Sequence, residues 1–382
     1  MPQKKMSLIT IFAAITIASL GIGIVLPIIP MLIKDASGSQ NIFIGLSATI
    51  MSLSFSLSSF PLGRWIDKTS PKNSMILGLI VYGFAVFLFP WFHGVTAFLI
   101  IRAIEGIGWG GIWMGTETLI NQLSSPSNRG RNMGIYGFCI SVGMAGGPMI
   151  GTFLLDYGII WPFLICTILS FCCLIFVIAY VPRNTISEHS QNNVKISIWN
   201  LRHALVAAFI YGVFEATMMS MFPAYFLSIN VSKSSLSMII TSFFVGGILF
   251  QIPAGKISDK IGKPKSLVLF AVLLIVVLVL FAHFDSLSMS LILGFLAGAL
   301  GGAFYPVGLS ILPDKLKPEQ LGAGNANFTF IYGMGSILGP IVIAFLMDWI
   351  DNKAVFYSFI PLCIGLISLS LTKEFFYDRK TK

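Results

Sequence analysis

Long apolar runs recur along this chain, separated by short polar gaps, and they commit it to one kind of solvent. Twelve such runs can be drawn, at 6–30, 41–62, 73–92, 95–120, 133–155, 160–181, 203–227, 234–254, 265–283, 287–311, 320–347 and 354–371. About 20 apolar residues cross the hydrocarbon core of a bilayer as a helix. In that core each backbone N–H and C=O must be paired inside its own segment, so a spanning run folds as a helix. Only 10% of the residues are charged and 56% are hydrophobic, whereas a soluble domain carries roughly a quarter charged residues. The sequence therefore predicts an all-α membrane protein with twelve transmembrane helices. The first run follows Lys4 and Lys5, but it is long, contains Pro27 and Pro30, and lacks a small-residue cleavage site. It reads as a retained helix and not as a signal peptide.

The placement of charge fits this count. With both termini in the cytoplasm, twenty of the twenty-four Lys and Arg fall in inner segments. The outer loops keep Lys34, Lys233 and Lys353, and Arg102 lies within a span. This is the asymmetry of the positive-inside rule. The net charge of +9 is thus a topology signal of a multi-pass protein of the cytoplasmic membrane, and no nucleic-acid partner is expected. Cys139, Cys166, Cys172, Cys173 and Cys363 all fall in apolar runs, without zinc spacing or a disulfide framework. There is no Walker loop, so ATP is not the expected motor, and no His/Cys metal pattern. The chain reads as a non-enzyme without metal or cofactor, expected to work as a monomer among membrane lipid.

A shift of 192 residues lays the chain on itself. GRWIDK at 63–68 falls on GKISDK at 255–260; Gly106 and Gly110 fall on Gly298 and Gly302; Gly130 falls on Gly322. Gly143, Gly147 and Pro148 fall on Gly335, Gly339 and Pro340. One offset held at five separated places predicts two pseudo-symmetric six-helix bundles. They are placed at 1–182 and 203–382, with a cytoplasmic linker at 183–202. Parallel repeats of this kind are a plan of secondary transporters, with the substrate path between them.

Three stretches carry a resemblance. The loop between the second and third spans reads GRWIDKTSPK, with Gly63, Asp67, Lys68 and Lys72; its copy reads GKISDKIGKPK, with Gly255, Asp259, Lys260, Gly262, Lys263 and Lys265. The fourth span carries RAIEGIGWGG, with Arg102, Gly106 and Gly108, and with Glu105 where relatives often have glutamine. The fifth holds Gly134, Gly143, Gly147-Pro148 and Gly151, and ends on Thr152 where relatives usually have a second glycine. Over essentially its whole length the chain resembles the major facilitator superfamily, and its fifth span is similar to that of the twelve-helix drug:proton antiporters. The resemblance implies the major facilitator fold and proton-coupled efflux by alternating access. The seventh span, FEATMMSMFPAYF, resembles multidrug exporters that keep a glutamate midway; the tenth, GALGGAFYPVG, lacks the second acid such exporters often carry.

Ionisable groups at membrane depth are functional candidates by default. Glu215 lies about twelve residues from either end of its span, roughly 18 Å deep at 1.5 Å per residue. An unpaired carboxyl there can take up and release a proton, which is the chemistry a proton-coupled carrier needs, or attract a cationic substrate. A carboxyl held permanently neutral, or hydrogen-bonded to a neighbouring helix for packing, is the plain alternative. Arg102 and Glu105 are three residues apart and share a helix face, so they are expected to pair, which would make Glu105 a poorer proton carrier; the resemblance implies a part for Arg102 in proton coupling, and a structural pair that orients the helix is the equal alternative. Glu117 lies further toward the cytoplasm and is the weaker proton-coupling candidate. The resemblance implies that Asp67 and Asp259 act in a gating latch at the inner mouth, with Gly63, Lys68, Gly255 and Lys260. Arg129 and Arg131 are plausible ion-pair partners of Asp67.

Softer residues are candidates to line a substrate path. Met218 and Met219, with Met221, give the seventh span a deformable apolar stretch, and Phe304 and Tyr305 lie in the tenth. Asn325, Asn327 and Tyr332 make the eleventh unusually polar. Methionine and aromatic surfaces suit varied hydrophobic ligands, though each such residue is more often core packing. Gly143, Gly147, Pro148 and Gly151 read as a helix-packing groove, and the resemblance makes that groove a seal between the two halves of an exporter. The expected function is secondary active transport of a small amphiphilic molecule or drug, driven by the proton gradient. Export of one dedicated metabolite such as a metallophore, uptake symport of a sugar or organic acid, and lipid flipping are the alternatives.

Overall fold

A computed structural model describes residues 2–38, 40–125, 128–181, 198–284, 286–317 and 320–371. Among these residues the regular structure is helical throughout. The first seven helices are α1 (Pro2–Val25), α2 (Ile28–Ser37), α3 (Asn41–Lys68), α4 (Pro71–Leu88), α5 (Val95–Leu123), α6 (Arg129–Leu155) and α7 (Ile160–Tyr180). A short 3₁₀ turn at Ile198–Leu201 leads into α8 (Arg202–Ser228), α9 (Lys233–Ile261), α10 (Lys263–Phe281), α11 (Leu287–Gly302), α12 (Phe304–Ser310) and α13 (Leu312–Lys315). Then come α14 (Leu321–Trp349), α15 (Ala354–Tyr357) and α16 (Phe359–Leu371). Residues 183–197, most of the expected linker, lie outside the described residues.

Eleven stretches among the described residues are long and apolar enough to cross a membrane, and Ala354–Ser370 is a shorter apolar twelfth. Where a predicted span is divided, proline is the cause. Proline has no N–H, and its ring crowds the carbonyl four residues before it. Pro30, Pro306 and Pro361 stand four residues beyond Leu26, Gly302 and Tyr357, where α1, α11 and α15 give out. The first span also runs on to Ser37, past the end expected at residue 30. Large apolar side chains such as Phe60, Phe84, Ile175, Leu249 and Ile252 project outward from mid-helix positions, as lipid-facing surface requires.

The chain forms two compact units, Met1–Ser190 with Val231–Thr241, and Gln191–Asn230 with Ser242–Lys382. The start of α9 therefore belongs to the first unit and its remainder to the second. In the first unit α1 packs on α6 and α7, and α5 packs on α3 and α4. In the second, α8 packs on α14, and α10 packs on α11 and α16.

The repeat in sequence is also a repeat of contacts. A Cβ added to Gly106 would fall on the carbonyl of Met51, and one added to Gly298 would fall on the carbonyl of Phe243. Both members of that pair are related by the 192-residue offset. The glycines of the fifth span behave likewise: Gly143, Gly147 and Gly151 leave room for the backbone of Thr16, Gly23 and Ile24 in α1. Gly335 and Gly339 in α14 leave the same room for Phe209 and Val213 in α8. Small residues let two backbones approach closely in lipid. The backbone that lies against the glycines of the fifth span is that of α1 of the same unit.

Candidate functional site

Glu215 sits midway along α8, and it is not the isolated carboxyl that its sequence context implies. Tyr211, one turn earlier on the same helix, donates its hydroxyl to Glu215 Oε1 at 3.0 Å. Tyr332 on α14 donates to Oε2 at 2.5 Å. Gly212 makes the second bond possible, because a Cβ there would fall on the Tyr332 carbonyl and push α14 away. Tyr305, at the start of α12 just beyond the proline break, completes the group. Its ring centroid lies 5.1 Å from that of Tyr211 and 5.6 Å from that of Tyr332. The rings of Tyr211 and Tyr332 stack at 5.8 Å. One carboxyl is thus held by two neutral phenols inside an aromatic wall. It can exchange a proton or face a cation without breaking a salt bridge.

Of the residues expected to line a path, Tyr305 and Tyr332 join the group around Glu215. Phe304 is fully buried and Met218 nearly so. Met219 and Asn327 are half-buried, and Asn325 is exposed. Tyr211 was missed by the sequence reading. Its only signal is its place one helical turn before the glutamate, where side chains meet.

The first unit holds a second polar group. Arg102 and Glu105 pair as their spacing predicts, with Arg102 Nη1 donating to Glu105 Oε2 at 2.8 Å. Glu105 is completely buried. From there an aromatic chain runs along α5, with Tyr82 against Trp109 at 6.4 Å, Trp109 against Trp113 at 5.9 Å, and Trp113 against Tyr136 at 5.6 Å. Glu117 is half-buried one turn beyond Trp113, with its carboxyl near the indole.

The expected gating loops are only partly visible. The side chains of Asp67 and Arg129 lie outside the described residues, and Lys68, Arg131, Asp259 and Lys260 are exposed. Gly63 and Gly255 lie within α3 and α9. What the sequence did not reveal is the work of two other lysines. Lys72 Nζ is buried and donates to the carbonyls of Ile178 and Val181, at 2.8 and 2.5 Å, at the end of α7. Lys263 Nζ donates to the Ser310 carbonyl at 2.7 Å and pairs with Asp314 at 2.5 Å. A cleft of about 430 Å³ opens beside that pair, lined by Ser258, Asp259, Pro264 and Lys315 among others.

The sequence model of the Major Facilitator Superfamily matches residues 11–199 and 204–380. The chain belongs to the Major Facilitator Superfamily. It is 30% identical over 366 residues to the "Uncharacterized MFS-type transporter YfkF" of Bacillus subtilis (strain 168), covering 94% of this chain and 92% of that one. It is 27% identical to the "Quinolone resistance protein NorA" of Staphylococcus aureus (strain MRSA252), covering 93% of each chain. Two solved structures share the fold. One is a bacterial homolog of the human lysosomal transporter Spinster, with TM-score 0.76 at 13% identity, covering 97% of this chain and 96% of that one. The other is the nucleoside transporter NupG, with TM-score 0.77 at 14% identity, covering 96% and 99%. As a superfamily member with apolar spanning helices, the protein is a multi-pass membrane transporter and not an enzyme.

Proposed function

We propose that this superfamily transporter exports a small amphiphilic molecule or drug across the cell membrane in exchange for protons. The observation that carries this reading is Glu215, a membrane-depth carboxyl held by the hydroxyls of Tyr211 and Tyr332. Such a group holds a proton when neutral and offers a negative charge inside an aromatic wall when ionised. The two states suit the two halves of an exchange cycle: substrate leaves as the proton enters, and the proton leaves as substrate binds. Tyr211, Tyr305 and Tyr332 provide large, flat apolar faces with little side-chain freedom to lose, and such faces bind amphiphiles and cations. Likeness to a quinolone resistance protein supports the direction of transport. The proton gradient is the proposed energy source, with no cofactor and a monomer as the working unit.

The test uses inverted membrane vesicles. On addition of a lipophilic substrate, wild type is expected to move protons, and Glu215→Gln is expected to bind substrate without proton movement. Proton movement equal to wild type in Glu215→Gln would remove Glu215 as the coupling group. Accumulation of a sugar or organic acid by energised right-side-out cells would instead support uptake symport. Transfer of labelled lipid between leaflets would support a flippase, and a response to a metallophore alone would support export of a dedicated metabolite.

A further inference from the structure

The group around Glu105 has more open hydrogen-bonding capacity than a structural ion pair should leave. Glu105 is completely buried, yet among the described residues only Oε2 has a hydrogen-bond partner and Oε1 has none. Among the described residues Arg102 Nε also has no hydrogen-bond partner, and neither does the hydroxyl of Tyr82 on the adjoining helix α4. Buried polar groups are nearly always paired, and each exception calls for a cause. A two-pronged arginine–carboxylate contact would close both oxygens. Here both residues stand on one helix, three apart, and the structure shows a single bond. A half-satisfied ion pair at low dielectric is a poor stabiliser.

We propose that Glu105 is a second exchangeable-proton site of this carrier, held in the first unit and controlled by Arg102. The proposal rests on the reading of the chain as a proton-coupled carrier only for its role in transport; the proton exchange stands by itself. A proton from water adds to the Glu105 carboxylate, and the only bond lost is the hydrogen bond from Arg102. The carboxyl becomes neutral and gains an O–H donor, for which the open Tyr82 oxygen is an acceptor of the right chemistry. Arg102 keeps its charge and loses its counterion, so it is free to turn away; release of the proton restores the pair. Arg102 is also the member that reaches the surface, at 13% side-chain exposure against 0% for Glu105. It therefore guards access to the carboxyl. The groups that face this site from other helices are Tyr82 on α4 and Cys166 on α7. The Cys166 thiol is engaged with the Gly21 carbonyl, and Tyr82 offers its hydroxyl as an uncharged hydrogen-bonding group. Glu105 is thus the group there that changes charge. It also supplies a second acid to a chain whose tenth span has none.

The test is a pH-difference infrared spectrum of the purified full-length protein, read at the C=O stretch of protonated carboxyls. A band that grows on acidification is expected in wild type and in Glu215→Gln, and is expected to be lost in Glu105→Gln. Tyr82→Phe should keep the band but shift its frequency, because one hydrogen-bond acceptor is removed. The same spectrum in Glu105→Gln as in wild type would overturn the proposal. So would an unshifted band in Tyr82→Phe, which decides the matter even if Glu105→Gln fails to fold. Loss of every carboxyl band in Glu215→Gln would likewise overturn it. Loss of one band in that variant, with the Glu105 band intact, supports both sites. If Glu215→Gln moves protons as wild type does while the Glu105 band persists, only the Glu215 reading fails.

Discussion

Thr152 accepts a hydrogen bond from Ser237 at 2.9 Å, with both side chains buried. Thr152 stands at the end of the glycine groove in α6, and Ser237 stands in the part of α9 that belongs to the first unit. One turn further on, Thr241 donates to the carbonyl of Ala145 at 3.0 Å. The departure from the glycine usual in relatives gives α6 a hydroxyl that bonds the first turns of α9. A double-mutant cycle of Thr152→Val and Ser237→Ala, followed by unfolding in detergent, should give a coupling of about 0.6 kcal/mol, the size usual for such bonds in membranes. Zero coupling would mean that the carbonyls of Pro148 and Lys233, also within reach, satisfy the two hydroxyls independently.

The Glu215 cluster predicts non-additive mutants. Tyr332→Phe or Tyr211→Phe removes one hydrogen bond to a charged group, worth about 1.5–3 kcal/mol in general. Each should lower substrate-driven proton movement at least several-fold. In the Glu215→Gln background the same phenylalanines should cost little more, because residues that act as one unit do not add. Equal, additive losses in both backgrounds would show that the phenols act elsewhere than through Glu215.

Much of this fold is legible in the sequence, because the bilayer leaves a spanning run no alternative to the helix. The 192-residue offset is legible as well, whereas the breaks at Pro306 and Pro361 are not, because Pro148, Pro223 and Pro340 sit inside unbroken helices. The pairing of Arg102 with Glu105 follows from helical spacing alone. Partner choice between distant segments does not. Tyr332 reaches Glu215 because Gly212 lets α14 close on α8, and Lys72 finds carbonyls more than a hundred residues away. Neither contact leaves a periodic trace. The groove of Gly143, Gly147 and Gly151 announces that a helix will pack there, but its composition does not say which one.

Two glycines of the same stretch should respond in opposite ways. Gly147 is pressed against the backbone of Gly23, whereas a Cβ on Gly134 would meet nothing within 4 Å. Gly147→Leu has no flexible neighbour to displace and should destabilise the first unit by about 1–3 kcal/mol or more, as overpacking does. Gly134→Ala should be neutral or stabilising by about 0.5–1 kcal/mol, since alanine loses less freedom in a helix than glycine. Melting temperatures in detergent separate the two. A Gly147→Leu protein with wild-type stability would show that α1 does not lie in this groove.

Lys72 and Lys263 occupy related places in the two units but should differ in importance. Lys72 is buried, and its ammonium answers two carbonyls that the end of α7 leaves without helical partners. Hydrogen bonds to a charged group contribute about 1.5–3 kcal/mol, and a cation is favourable at a helix C-terminus. Lys263 shares its charge with Asp314, whose side chain is 54% exposed. An ion pair open to water contributes only about 0–1 kcal/mol and is screened by salt. Lys72→Met should therefore lower the melting temperature well beyond Lys263→Met, and only Lys263→Met should lose part of its effect in high salt. Equal shifts for both, unchanged by salt, would mean that the α7 carbonyls find water or another donor when Lys72 is removed.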